Sequence, residues 1–262
     1  MLPAHATAAC ETPAFVLDQR RLVENLRSIR DFATAADCTA LYSIKALTLP
    51  EVLSAAAAQL HGFSVSSLFE ARIARQFAEP ATQISFVSPL LRGSEAEEIA
   101  RLCDRVTLNS LSQLDRCGDL LAESCEVGLR VNPGTSWVSN PQPDPCRSDS
   151  KLGIITSQLR DALRQDGQRL RAVNGLHIHA NHRSRNGRHW IATIEAVEAA
   201  VGDALDEFRW LNIGGGYLFD ELQFQTEAVT KLQRLREEYG LEIVIEPGAG
   251  ATHDAGYFVA TV

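Results

Sequence analysis

At 262 residues with 45% apolar content, the chain is long enough to bury one large core or two ordinary ones. Its formal net charge of −8 comes without a basic stripe that could neutralise phosphates, which excludes a general nucleic-acid binder. No stretch approaches the ~18 uninterrupted apolar residues of a membrane span, and residues 1–10 carry neither the cationic start nor the apolar core of an export signal, so a cytoplasmic protein is expected.

After a tail over residues 1–11, Thr12-Pro-Ala-Phe-Val-Leu-Asp18 reads as a strand. Asp18 is a good N-cap for a helix carrying Leu22, Leu26 and Ile29 on one face, so a leading strand and helix fill 12–38. A repeating unit begins at residue 39. Short apolar runs recur near 40–46, 62–66, 84–88, 105–109, 126–132, 174–180, 209–213 and 241–246, with helical patterns between most of them. Several runs end in Ser or Thr followed three residues later by Glu or Gln, the capping-box signature of a helix start: Thr48 with Glu51, Ser67 with Glu70, Ser94 with Glu97 and Ser110 with Gln113.

Eight strands alternating with capped helices over 39–250 predict an α/β chain of the closed parallel (β/α)8 or TIM type. An open doubly wound sheet is the alternative, but no GxGxxG follows the first strand. The loop at 133–153, rich in Pro, Ser and Asp, is the one long irregular connection and follows a strand at the end where barrels place their chemistry. Cysteines at 10, 38, 103, 117, 125 and 146 show no CxxC pair and read as free thiols; only Cys146, in the polar loop Asn140-Pro-Gln-Pro-Asp-Pro-Cys146, invites a functional reading.

Lys45 lies in the apolar run Leu41-Tyr-Ser-Ile-Lys-Ala-Leu-Thr-Leu-Pro50, where burying an ammonium costs several kcal/mol. In an extended strand Tyr42 and Ile44 point to one face, Ser43 and Lys45 to the other. A desolvated lysine is a nucleophilic amine able to condense with an aldehyde; a strand-end lysine snorkelling to solvent is the other reading.

The sixth run, Gly175-Leu-His-Ile-His-Ala180, sends His177 and His179 to one face, which in a barrel is the lumen. A His-x-His pair can bind zinc, and His182, His189 and His253 add nitrogen donors, but no carboxylate or cysteine completes a ligand spacing and no metal is expected. A buried, hydrogen-bonded histidine is the ordinary reading of His177, whereas His179 has a better partner in a ring bound to Lys45. The seventh run closes with Trp210-Leu-Asn-Ile-Gly-Gly-Gly216, where glycine amides can approach a phosphate closely or simply make a tight turn. The eighth delivers Ile243-Val-Ile-Glu-Pro-Gly248, placing Glu246 where it makes either a structural salt bridge or a pair with a cationic ring nitrogen. One cofactor, pyridoxal 5'-phosphate, joins these pieces: Lys45 takes its aldehyde, His179 stacks on its ring, the glycines hold its phosphate and Glu246 faces its pyridine nitrogen.

The segments Thr12-Pro-Ala-Phe-Val-Leu-Asp18, Ser43-Ile-Lys-Ala46, Ser66-Ser-Leu-Phe-Glu70, Asn109-Ser-Leu-Ser-Gln-Leu114, Asp144-Pro-Cys146, Lys151-Leu-Gly153 and Trp210–Gly216 together resemble the carboxynorspermidine decarboxylase family. That family lies within the fold type III pyridoxal phosphate enzymes, alongside ornithine and diaminopimelate decarboxylases and alanine racemase, and the resemblance runs from about residue 12 to residue 262. It implies a decarboxylase of an amino acid, with Lys45, His179 and Glu246 catalytic. It implies Arg130, Gly214, Gly215, Gly216 and Gly248 as further cofactor contacts, and Asp144, Cys146, Asn181, His182 and Arg183 near the substrate.

Two local departures stand out. After His179-Ala the chain reads Asn181-His-Arg183 and stays basic through Arg188 where family members continue Leu-Cys-Glu, which suits a more anionic substrate. Glu246-Pro-Gly is followed by Ala249-Gly250, without the family's charged residue. Family members also build a β-domain after the barrel, of which this chain carries only the strand at 12–18 and the start at 251–262, so both are expected to present unpaired edges. The resemblance therefore implies a homodimer, or a heterodimer with a chain that supplies the β-domain; a non-catalytic, cofactor-binding paralogue that pairs with a full-length enzyme is the alternative.

Overall fold

The computed structural model describes residues 11–261 apart from 139–143, 166–167, 220–221 and 224. A short strand β1 (Ala14–Leu17) leads into helix α1 (Gln19–Ala36), whose first turn is capped by the Asp18 carboxylate accepting from the Arg21 amide at 3.0 Å. Leu22, Leu26 and Ile29 recur at helical spacing and are fully buried.

The apolar runs then form strands buried on both faces: β2 (Thr39–Ser43), β3 (Gly62–Val65), β4 (Gln83–Val87), β5 (Arg105–Leu108) and β6 (Glu126–Asn132). Between them lie α2 (Pro50–Gln59), α3 (Leu68–Phe77), α4 (Gly93–Leu102) and α5 (Leu111–Ala122). The second half adds β7 (Ile154–Ile155), α6 (Thr156–Gln165), β8 (Val173–Ile178), α7 (Arg188–Val201), β9 (Trp210–Asn212), α8 (Gln225–Tyr239) and β10 (Glu242–Ile245). Parallel pairing runs β2-β3-β4-β5-β6-β8-β9-β10 and returns from β10 to β2, which closes an eight-stranded (β/α)8 barrel. The extra strand β7, not foreseen in the sequence, pairs with β6 outside the ring.

Three local expectations are corrected. First, β2 ends at Ser43, and Lys45 sits in a single 3-10 turn, Ile44–Ala46, exposed at the barrel rim rather than buried in a strand. Second, only two of the four capping boxes form. Ser67 and Ser110 accept from the Glu70 and Gln113 amides, whereas Thr48 bonds back to the Ile44 carbonyl and Leu49 precedes α2, and Arg92 precedes α4 without a side-chain cap. At both failures the helix starts out of register with the hydroxyl residue: Thr48 lies one place before the cap position Leu49, and Ser94 lies two places after the cap position Arg92, inside the first turn. Third, β1 is not left unpaired. It pairs antiparallel with β11 (Gly256–Val259), which follows the short helix α9 (Ala249–Thr252), and Asp254 ties this end to Arg21 and Asn25 of α1. One face of the ribbon stays apolar and open, with Phe15 88% and Phe258 62% exposed and their rings 5.1 Å apart.

The N-terminal mouth of the barrel is sealed by charge. Arg105, first residue of β5, bonds Glu126 of β6 at 3.0 Å and Gln83 of β4 at 2.9 Å and pairs with Glu242 of β10, which also accepts from Thr39 of β2. Its guanidinium stands 5.7 Å from the Trp210 ring centre. Trp210 fills the lumen above it, and it fits because Gly128 and Gly175 have no side chain: a Cβ on either would lie 2.2 or 2.0 Å from the indole. Arg105→Ala is expected to cost about 2 kcal/mol, because two carboxylates and an indole face lose their shared cation in a half-buried site. Urea unfolding of the two proteins measures it, and an unchanged midpoint would show the cluster to be solvated decoration.

Candidate active site

The opposite, C-terminal mouth gathers the chemistry. The register places Arg130 of β6 beside His177 of β8 and His177 beside Asn212 of β9, so three neighbouring strands present one row of polar side chains into the lumen. Lys45, Arg130, His177, His179, Asn181, His182 and Glu246 all line one cavity of about 370 Å³, with Pro145 and Leu152 from the long loop closing its side.

Glu246 follows directly on β10 and is buried, only 6% exposed. One carboxylate oxygen accepts from Asn212 Nδ2 at 2.8 Å; the other lies 3.5 Å from His177 Nε2. Burial alone would raise the Glu246 carboxyl, but His177, Asn212 and the Lys45 charge outweigh it and hold it down to about 2. His177 is pushed the other way by burial, with Arg130 and Lys45 adding to the effect and Glu246 opposing it, so its ordinary state near neutrality is uncharged. His179 is lowered further, by burial and then by Arg130, Lys45 and His177. The cavity thus holds one buried anion and two neutral imidazoles, with Lys45 and Arg130 on the same wall.

The glycine run is needed for close approach. Gly214 has φ of +68°, and a Cβ there would lie 2.6 Å from the Ile178 carbonyl and 2.9 Å from His179 Nδ1. A Cβ on Gly215 would lie 2.1 Å from the Glu246 carbonyl. The Gly214 amide donates to Asn212 Oδ1 at 2.8 Å and the Gly215 amide to His179 Nδ1 at 3.4 Å, which puts the imidazole proton on Nε2. Gly248 packs its α-carbon against Ser43 and Ala46, beside Lys45.

The long loop is folded by its own polar groups. Both Asp144 oxygens are taken, by Ser136 Oγ at 2.6 Å and by the Cys146 amide at 2.8 Å. The Cys146 thiol is buried, 3.7 Å from the His179 carbonyl, and burial pushes it up to about 12, so it is a neutral thiol against the back of the histidine strand. Asn109 clamps the end of the loop through the Lys151 carbonyl and the Gly153 amide, joining two of the segments singled out in the sequence. Residues 139–143 of the loop lie outside the described residues.

Asn181 is buried and donates to the Tyr217 hydroxyl at 2.7 Å, while His182 is exposed on the cavity wall and Arg183 is exposed beside it with φ of +53°. Asn212, Tyr217 and Ser66 belong to this site without a sequence signal of their own. Each is a common polar residue whose role depends on a strand across the barrel.

The profile of the pyridoxal-dependent decarboxylases, pyridoxal binding domain, matches residues 20–252. The chain belongs to that family. Among its relatives, carboxynorspermidine/carboxyspermidine decarboxylase of Herminiimonas arsenicoxydans is 27% identical over 248 residues, covering 93% of this chain and 64% of the relative. Carboxyaminopropylagmatine decarboxylase of a Synechocystis strain is 27% identical over 256 residues, 96% of this chain and 63% of the relative. The crystal structure of Campylobacter jejuni carboxynorspermidine decarboxylase with norspermidine superposes with a TM-score of 0.80 at 24% identity, over 95% of this chain and 63% of that one. The chain therefore spans a little under two thirds of the length of these relatives. The family's cofactor is pyridoxal phosphate.

The site's donor set suits such a cofactor: an exposed primary amine at Lys45, a buried ionised carboxylate at Glu246, and a neighbouring glycine run packed so closely on the Ile178, Glu246 and Asn181 carbonyls that no side chain fits there. Gly215→Ala is expected to destabilise the fold by about 2 kcal/mol and to displace His179, since its methyl enters backbone that cannot retreat. Thermal unfolding and the chemical shifts of the His179 ring protons check both; an unperturbed ring would show that the glycine is not required there.

Proposed function

We propose that this chain is the cofactor-binding part of a pyridoxal phosphate-dependent amino-acid decarboxylase. The observation that carries the reading is the meeting of the exposed Lys45 amine and the ionised Glu246 carboxylate on the wall of one cavity at the C-terminal mouth of the barrel. Lys45 would take the aldehyde, His179 would lie against the ring, and Glu246 would face the pyridine nitrogen. The phosphate would find the Gly216 and Gly248 amides, which donate to no acceptor among the described residues, together with the rest of the Gly214–Gly216 run and Arg130. The bound cofactor supplies an electron sink for the pair left when carbon dioxide departs. The protein's part is to keep that ring nitrogen protonated through a carboxylate that does not itself take the proton, and to hold the neutral His179 imidazole against the ring.

The finer reading concerns the substrate. Glu246 is the one carboxylate on the described cavity wall and is committed to Asn212 and His177, while His182 and Arg183 stand at the rim with no described carboxylate paired to either. A rim of that sign selects an amino acid whose far end is anionic and disfavours a polyamine tail. The open Phe15–Phe258 face adjoins an apolar groove of about 450 Å³ lined by Leu17, Leu47 and Tyr257, which supports docking of a β-domain against this ribbon.

Purified protein mixed with pyridoxal phosphate should gain a visible absorbance band that Lys45→Ala abolishes; a colourless, unreactive protein would defeat the reading. Carbon dioxide release should favour acidic over polyamine-derived amino acids, and reversing the rim with His182→Glu and Arg183→Glu should invert that preference by about tenfold or more. Equal rates for both classes in both proteins would refute the anionic substrate while leaving the cofactor result standing.

A further inference from the structure

His177 has no place in the proposed chemistry, yet it is 1% exposed and both of its ring nitrogens lack a hydrogen-bond partner. A buried imidazole with two unsatisfied nitrogens is costly unless something in the site uses it. The polar group nearest to it is a Glu246 carboxylate oxygen, 3.5 Å from Nε2. That distance is an electrostatic contact, about half an ångström longer than a formed N–H···O bond. The other Glu246 oxygen is already fixed by Asn212, whose own oxygen is fixed by the Gly214 amide, and the Glu246 amide returns to the Gly214 carbonyl. Every handle on this carboxylate is therefore rigid except the one that His177 offers.

We propose that His177 is a positioning residue that donates to the second oxygen of Glu246, keeping the carboxylate ionised and turned toward the cofactor. The inference rests on the reading of Glu246 as the cofactor-facing group. The other titratable or charged groups around the pair are Lys45 on the first rim turn, Arg130 on β6, His179 just past β8 and, beyond Arg130, Cys146 on the long loop. The buried Cys146 thiol and His179 stay neutral around pH 7. Without a donor at 177, burial acts on Glu246 with one hydrogen bond fewer against it, and the folded carboxyl titrates higher.

The test compares His177→Gln, which keeps an N–H, with His177→Leu, which does not; neither replacement titrates. Glu246 is depressed when folded and ordinary, about 4.3, when unfolded, so its stabilisation is present above the unfolded value and is lost as pH falls through the folded one. In the full chain without cofactor, His177→Gln should melt about 3 °C or more above His177→Leu near pH 7. That gap should shrink as pH falls from about 4 toward about 2, and should shrink several-fold at pH 7 in a Glu246→Gln background. A gap independent of pH, or equally large beside Gln at 246, would assign position 177 to packing and overturn the proposal. With pyridoxal phosphate bound, the pH midpoint of the visible band should shift in His177→Leu and be restored in His177→Gln. Failure of every variant, wild type included, to take up cofactor would sink the functional reading, and the melting comparison would still decide the role of His177.

Discussion

A carboxylate kept ionised inside a protein is the constraint from which this site is built. Glu246 sits at the C-terminal end of a barrel strand with almost no solvent, where an isolated negative charge would not persist. It persists because Asn212 satisfies one oxygen, His177 stands against the other, and the Lys45 and Arg130 charges share the cavity. The same arrangement sets the state of the histidines. Burial and the nearby cations lower both, so the anion is not neutralised by proton transfer from its neighbours.

The two mouths of the barrel divide the labour by charge. At the N-terminal mouth Arg105 is a buried cation held by Glu126, Glu242 and Gln83, with Trp210 packed above it. Its charge is matched by those carboxylates, and the cluster belongs to closure and stability. At the other mouth, among the described residues, Lys45 is exposed, both His177 ring nitrogens lack a hydrogen-bond partner, and the Gly216 and Gly248 amides donate to no acceptor. A cavity whose wall carries polar groups of this kind is suited to binding a ligand.

What was legible in the sequence follows from the range of the forces involved. The eight strands could be read because each is a short apolar run between polar helical patterns, and Asp18 could be read as a cap because its bond spans three residues. Lys45, the His177–His179 pair, Gly214–Gly216 and Glu246 were visible because each is the wrong residue type for the apolar segment around it. Asn212 and Tyr217 were not, since their partners Glu246 and Asn181 lie more than thirty positions away. Gly128 and Gly175 were equally silent, because their reason is a tryptophan from a third strand. The failed caps at Thr48 and Ser94 are of another kind: a local motif yielded to a helix start displaced by one residue in the first case and by two in the second.

The ribbon of β1 and β11 shows where pairing rules stop short of solubility. Joining these strands satisfies their facing edges and removes the cost of two isolated strands, yet it does nothing for Phe15 and Phe258, which lie opposite each other on the outer face. Two aromatic rings tilted against each other with centroids 5.1 Å apart cover part of each other and leave the rest to water. The groove between this face and Leu47 and Leu49 begins on the same rim turn that carries Lys45, so anything that covers the apolar ribbon also approaches the mouth of the cavity.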